Sequence, residues 1–222
     1  MISRLLCFLL LPTICFSQTL TGIILDASTS KPLETVAVYF DNTTIGTTTN
    51  SEGKFSINYS DAIQSPLVIS YLGYEKVIIE DYRAKNDITI KLKPTDVSLD
   101  EVFIDFDDGL TRKQKLRLFR KEFLGSSKYG KSCKILNEKD IVLRYDKKRK
   151  TLYANTDVPI IIKNKALQYE ISFDMIDFEA IYRYANLKQQ DFALDRVAYA
   201  GTSYYKNLEK ADKKKTRRAH LN

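Results

Sequence analysis

Residues 46–59 read GTTTNSEGKFSINY, and this stretch decides the fold. Phe55, Ile57 and Tyr59 alternate with Lys54, Ser56 and Asn58, as a half-buried strand requires, because successive side chains of a strand point to opposite faces. Asn50, Ser51, Glu52 and Gly53 before it make a turn where a left-handed glycine costs little. Working outward, further short runs rich in Val, Ile, Tyr and Phe occupy residues 22–25, 36–40, 67–71, 77–79 and 88–92, most of them separated by Ser, Thr, Asn, Asp, Gly or Pro. Runs of this length and spacing predict an antiparallel β-sandwich.

The blocks GIILDASTSKPLETVAVYF (22–40), GTTTNSEGKFSI (46–57), LVISYLGYEK (67–76) and ITIKLKP (88–94), in that order, resemble the carboxypeptidase regulatory-like (carboxypeptidase D regulatory-like) domain. That resemblance implies a seven-stranded, transthyretin-like antiparallel β-sandwich of the bacterial envelope. The next segment, VSLDEVFI (97–104), is similar to the one that closes this domain ahead of TonB-dependent outer-membrane receptors. The resemblance implies a fold and a compartment but no reaction, since such domains are accessory modules even where they are attached to peptidases.

The chain opens with MISR and an apolar run over residues 5–16, broken only by Pro12 and Thr13, before Ser17. This is the pattern of a signal peptide and is too short for a membrane span, which needs about 20 residues. Cleavage is expected after Ser17. Bulky Ile14 ahead of Cys15 speaks against a lipid-anchoring site. The formal charge of +7 becomes +6 once Arg4 leaves, and of the three cysteines only Cys133 remains, so no internal disulfide forms and packing must supply the stability. The mature chain is read as exported and soluble or peripheral, in the periplasm or at the outer membrane or cell surface of a Gram-negative bacterium.

The second half changes character. Thr111 and Gln114 form a candidate capping box, Leu116, Phe119 and Phe123 recur at helical spacing, and Gly125 ends the segment. Arg112, Lys113, Lys115, Arg117, Arg120 and Lys121 make its other face basic. Ile141, Leu143 and Tyr145 alternate into a charged turn at 147–150 and a return at 152–155, a hairpin. Strands are then expected at 159–162, along Tyr169, Ile171, Phe173 and Met175, and at 197–205. The expected organisation is a leader (1–17), a sandwich (18–95), a linker (96–109), a small α+β unit of one helix plus a β-meander (110–205) and a basic tail (206–222), so the fold class is mainly β. KEFLG (121–125), KSCKILNEKDI (131–141) and AYAGTSYYKNL (198–208) are similar to a region that follows this sandwich in some envelope proteins of unassigned function. That similarity implies continuation beyond Asn222.

Catalytic chemistry finds little material. A zinc peptidase needs two His and a carboxylate around the metal, and the only His is His220, near the end of the tail. The same shortage leaves a serine triad or a Cys–His pair without a base. Cys133, between Lys131 and Lys134, is read as a structural thiol rather than a nucleophile. Asp105, Asp107, Asp108 and Gly109 invite a calcium loop, but the sixth and twelfth positions counted from Asp105 are Leu110 and Leu116, so the pattern fails. No Trp is present. Tyr182, Tyr184, Tyr199, Tyr204 and Tyr205 could form an aromatic binding face, although sheet core is the commoner role. The eight Gly form no phosphate-binding motif.

The tail carries a net +5, leaving +1 for residues 18–205, and suits anionic headgroups or acidic glycans better than nucleic acid in an exported protein. No catalytic residue, metal ligand or cofactor is assigned. The function expected is a non-catalytic envelope module for binding, assembly or structure, with an envelope protein or glycan as partner. The alternatives are an accessory part of a hydrolase or peptidase, or a component associated with TonB-dependent uptake.

Overall fold

The computed structural model describes residues 18–84, 87–95 and 108–208. The expected linker (96–109) lies outside these residues but for Asp108 and Gly109, as do VSLDEVFI, Asp105, Asp107, His220 and nearly all of the basic tail.

The first unit is a two-layer sandwich. Strands β1 (Gln18–Asp26), β4 (Lys54–Tyr59) and β7 (Asp87–Leu92) form one sheet in the order β4-β1-β7. The other sheet has the order β3-β2-β5-β6, from β2 (Ala37–Phe40), β3 (Gly46–Thr48), β5 (Leu67–Ser70) and β6 (Val77–Ile79). The pairings are antiparallel except that β1 and β7 run parallel. This departs from the expected all-antiparallel sandwich: β7 enters from the opposite sheet rather than through a hairpin, so no tight turn fixes its direction.

Phe55, Ile57 and Tyr59 of β4 and Ile88, Ile90 and Leu92 of β7 point inward at every second position, against Leu20, Ile24, Val38, Phe40, Leu67 and Ile69. Tyr82 seals one end, its ring 4.9 Å from that of Phe40 and 5.3 Å from that of Tyr59. Gly53 has φ +71° and gives its carbonyl to the Ile24 N–H at 2.8 Å, so the turn that opens the decisive stretch also closes against β1.

The second unit is helix α1 (Arg112–Leu124), a single turn α2 (Lys128–Lys131) and strands β8 (Cys133–Ile135), β9 (Val142–Asp146), β10 (Thr151–Asn155), β11 (Ile160–Asn164), β12 (Tyr169–Asn186) and β13 (Asp191–Asn207). The antiparallel pairings show β8 and β9 to be one interrupted row, and β10 and β11 another. Four rows result: β8/β9, β10/β11, β12 and β13, with α1 packed over β9 and β10. The last strand begins at Asp191, six residues before the position expected from sequence.

The Thr111–Gln114 capping box forms as expected. Phe119 is fully buried between Phe123 and Phe178, with ring separations of 5.0 and 4.8 Å, while Leu116 and Phe123 are only partly buried. The expected basic face does not survive intact. Lys115 points inward and pairs with Asp108 at 2.7 Å, both side chains being buried. Arg112 donates to the backbone carbonyls of Glu138 and Ile141 at 2.9 and 3.0 Å, and Arg120 pairs with Glu138. Asp108, one of the calcium-loop candidates, also accepts from the backbone N–H groups of Leu110 and Tyr145 at 3.0 and 3.2 Å, so its oxygens already serve the start of α1.

Phe119→Ala should lower the unfolding free energy by about 3–5 kcal/mol through lost burial and the cavity left behind. Urea denaturation followed by circular dichroism measures this.

Candidate functional site

Register places Gly46, Tyr39, Val68 and Ile78 in one row across the β3-β2-β5-β6 sheet. Their strand neighbours Val38, Phe40, Leu67 and Ile69 fill the sandwich core, so this row points away from it. Tyr39 and Val68 are nonetheless only 6% and 0% exposed. The β12–β13 ribbon covers them.

The Tyr204 ring lies 5.4 Å from that of Tyr39, over Gly46, where an added Cβ would meet Tyr204 at 2.7 Å. Tyr39 Oη and Thr202 Oγ1 are 3.1 Å apart, and burial pushes the Tyr39 hydroxyl up to about 12. One row along, Asp174 Oδ2 takes an ion pair from Lys76 at 2.8 Å and a hydrogen bond from Ser70 at 3.3 Å.

The outer edge of β13 also pairs with the β2–β3 turn. Asn42 N–H donates to Ser203 O at 2.8 Å, and Tyr205 N–H to Thr43 O at 3.0 Å. Ser203 N–H donates to Asp41 Oδ1 at 2.8 Å and its hydroxyl to Asn42 Oδ1 at 2.6 Å. Asn42 holds φ +56°, a left-handed conformation Asn tolerates better than most residues. The runs VAVYF and LVIS carried the signal for this junction: strands apolar on both faces are covered on both faces. From sequence alone these runs are read only as strands of the sandwich.

A groove of about 250 Å³ opens where the rows of the second unit are interrupted. Ile176 is an extra residue in β12 relative to β13 and stands 64% exposed. Opposite it, between Asn155 and Ile160, the β10/β11 row leaves the ladder. Val142, Arg144, Tyr153, Asn155 and Asp177 are among the other residues that line it. The Arg144 guanidinium lies 4.7 Å from the Tyr153 ring centroid, and the Asp177 carboxylate accepts the Ala200 N–H at 2.9 Å. A cation resting on an aromatic ring in a groove that is also lined by Val142 and Ile176 suits a planar or anionic group.

The five tyrosines singled out in the sequence do not form one face. Tyr182 is buried in the second core, Tyr199 packs against Phe123 and Phe178, Tyr204 is in the junction, Tyr205 packs on Tyr169, and Tyr184 is exposed. Cys133 is half-buried, 3.2 Å from Asn164 Nδ2 and 3.4 Å from Tyr129 O. Burial raises its pKa, the opposite of activation by Lys131 and Lys134. Among the described residues no group of three metal-ligating side chains converges, and no helix is long and apolar enough to cross a membrane.

One polar centre in the sandwich was not foreseen. Asp26 accepts hydrogen bonds from Ser28 N, Thr29 N, Thr29 Oγ1 and Tyr74 Oη at 2.9, 2.6, 2.9 and 2.7 Å. The Tyr74 hydroxyl, followed by the Thr29 N–H, holds its pKa below the usual carboxylate range.

Residues 20–104 match the family model described as CarboxypepD_reg-like domain. The sandwich is a carboxypeptidase regulatory-like domain. The match takes in the whole β1–β7 unit from Leu20 and runs on through VSLDEVFI; it does not extend over the second unit. No curated protein matches the chain. The junction therefore sits on a face of the regulatory-like domain, and the groove on the unit that this face supports.

Tyr204→Ala combined with Asp174→Ala should cost about 1–3 kcal/mol and split a single unfolding transition into two, read by differential scanning calorimetry. Asp26 favours its charged form in the folded state, so its stabilisation is complete above the unfolded carboxylate pKa of about 3.9 and fades as pH falls through the lower folded value. Asp26→Asn should lower the melting temperature at pH 7, with the gap to wild type closing below about pH 4.

Proposed function

We propose that the protein is a non-catalytic, exported protein of the cell envelope whose carboxypeptidase regulatory-like domain acts as a binding, assembly or structural module. The observation that carries this reading is the junction at Tyr39, Val68 and Ser203. The regulatory-like domain already uses a sheet face as a platform for another folded unit, burying Tyr39 and Val68 of the outer row and bonding its Asp41–Thr43 turn to a strand edge. The apolar leader at residues 5–16 supports export, to the periplasm or the outer-membrane surface of a Gram-negative cell. The groove around Arg144 and Tyr153 is the recognition surface of the supported unit, and an envelope protein or glycan is its partner class.

A second reading, association with TonB-dependent outer-membrane uptake, draws on the family match running through VSLDEVFI to residue 104.

Protein from the envelope fraction should begin at Gln18 on N-terminal sequencing. Cross-linking in intact cells should capture a reproducible envelope partner whose yield falls at least several-fold in Arg144→Ala with Tyr153→Ala. Retention of the intact leader in the cytoplasm, or capture indifferent to both substitutions, would count against the proposal.

A further inference from the structure

Strand β13 pairs with β12 along its whole length, and its other edge meets the Asn42–Thr43 turn only around Ser203 and Tyr205. Among the described residues nothing pairs with that outer edge from Asp191 to Gly201. Natural sheets blunt such edges with proline, lysine, other charges, bulges or brevity; this stretch, DFALDRVAYAG, has no proline or lysine, and its bulge and inner charges fall together at Asp195 and Arg196. Its chemistry is instead arranged about a centre. Outward from the Asp195–Arg196 step lie Leu194 and Val197, then Ala193 and Ala198, then Phe192 and Tyr199. The same step is the middle of the free stretch, with the hairpin tip at one end and the Thr202–Ser203 junction at the other.

We propose that the free edge of β13 binds a second copy of this chain, the two β13 strands pairing antiparallel about a two-fold axis at the Asp195–Arg196 step.

Three observations fix this register. Asp195 of one copy stands opposite Arg196 of the other, twice by symmetry. A slip of one residue either way sets Asp195 against Asp195 or Arg196 against Arg196, and like charges directly opposite are unfavourable. Both side chains are exposed, and among the described residues neither forms an ion pair.

The second observation concerns faces. Residues directly opposite in an antiparallel pair share a face, so an axis between two residues of a regular strand would oppose side chains on different faces. Here Ile181 pairs with Arg196 and Tyr182 with Leu194, making Asp195 an extra residue. That bulge brings Phe192, Leu194 and Val197 to the helix side of the sheet together, with Tyr199 beside them against Phe123. Leu194 then meets Val197, and Phe192 meets Tyr199, each pair on one face.

The third concerns backbone groups. Ser203 and Tyr205 direct N–H and C=O groups outward to the turn. Alternation therefore places those of Val197, Tyr199 and Gly201 on the same edge, and the extra residue restores Leu194 and Phe192 to it. Tyr199, 48% exposed, loses its apolar exposure in the pairing. In this register the partner's Ser203, where its own regulatory-like domain docks, falls level with the hairpin tip between Asn186 and Asp191 rather than along the free edge.

Sedimentation equilibrium of the purified protein over a micromolar-to-millimolar series tests this. Wild type should pass from monomer to dimer, and Arg196→Asp should weaken dimerisation at least about tenfold while leaving the circular dichroism spectrum unchanged. Asp195→Arg combined with Arg196→Asp, which restores opposite charges in the same register, should recover it. Hydrogen exchange at the Val197 and Tyr199 amides should slow as wild-type concentration rises. A monomer throughout the series, dimerisation indifferent to Arg196→Asp, or failure of the folded double variant to recover would each overturn the proposal.

Discussion

The structure depends on Ser203. Its N–H, C=O and hydroxyl all bond to the Asp41–Thr43 turn, more than 160 residues away in sequence, and the residue is buried. Backbone groups taken out of water must find partners, and β13 cannot satisfy this end of its outer edge within its own sheet. The β2–β3 turn supplies what is missing. Once that edge is joined, Tyr204 must lie over Gly46, and Asp174, next to Phe173 and so on the row beside Ser203, must reach Ser70 and Lys76. Burial of Val68 follows from a backbone requirement, and the apolar area gained reinforces it.

Bulges are what allow one ribbon to meet several demands. A hairpin of strands 18 and 17 residues long that ran regularly would hold each alternation fixed from end to end. The irregularity at Ile176 resets the phase, letting Met175 and then Phe178, Ala180 and Tyr182 enter the core under α1, and those at Arg183 and Asp195 reset it again ahead of Ala185 and Val197. The groove is a by-product of the first of these resets, because the β10/β11 row must loop away at the level where Ile176 stands out. The Arg144–Tyr153 contact therefore occupies a place where sheet geometry had already broken.

Legibility in the sequence followed local regularity. The strands at 54–59 and 88–92 were readable because alternation there is uninterrupted, and the capping box because its chemistry spans four residues. β12 was read only along Tyr169 to Met175, because past Met175 the bulges break the period of two. Lys115 was placed on the solvent face because its buried partner, Asp108, lies at the edge of what looked like a linker. The junction escaped because Tyr39 and Ser203 are linked by nothing periodic, although the two-sided apolar character of VAVYF and LVIS was a usable sign. The groove had no such sign, since its lining comes from three rows that meet only when folded.

The position of the closing contact has a temporal consequence. Strands β1–β7 are complete when residue 92 has been made, and the regulatory-like domain can assemble while the rest of the chain is still being synthesised. Its outer face, with Tyr39 and Val68 uncovered, then waits until residues 202–205 emerge, over 100 residues later. During that interval the nascent protein shows an apolar sheet face that the finished one hides. A chaperone acting on this chain would have a defined target and a defined moment of release.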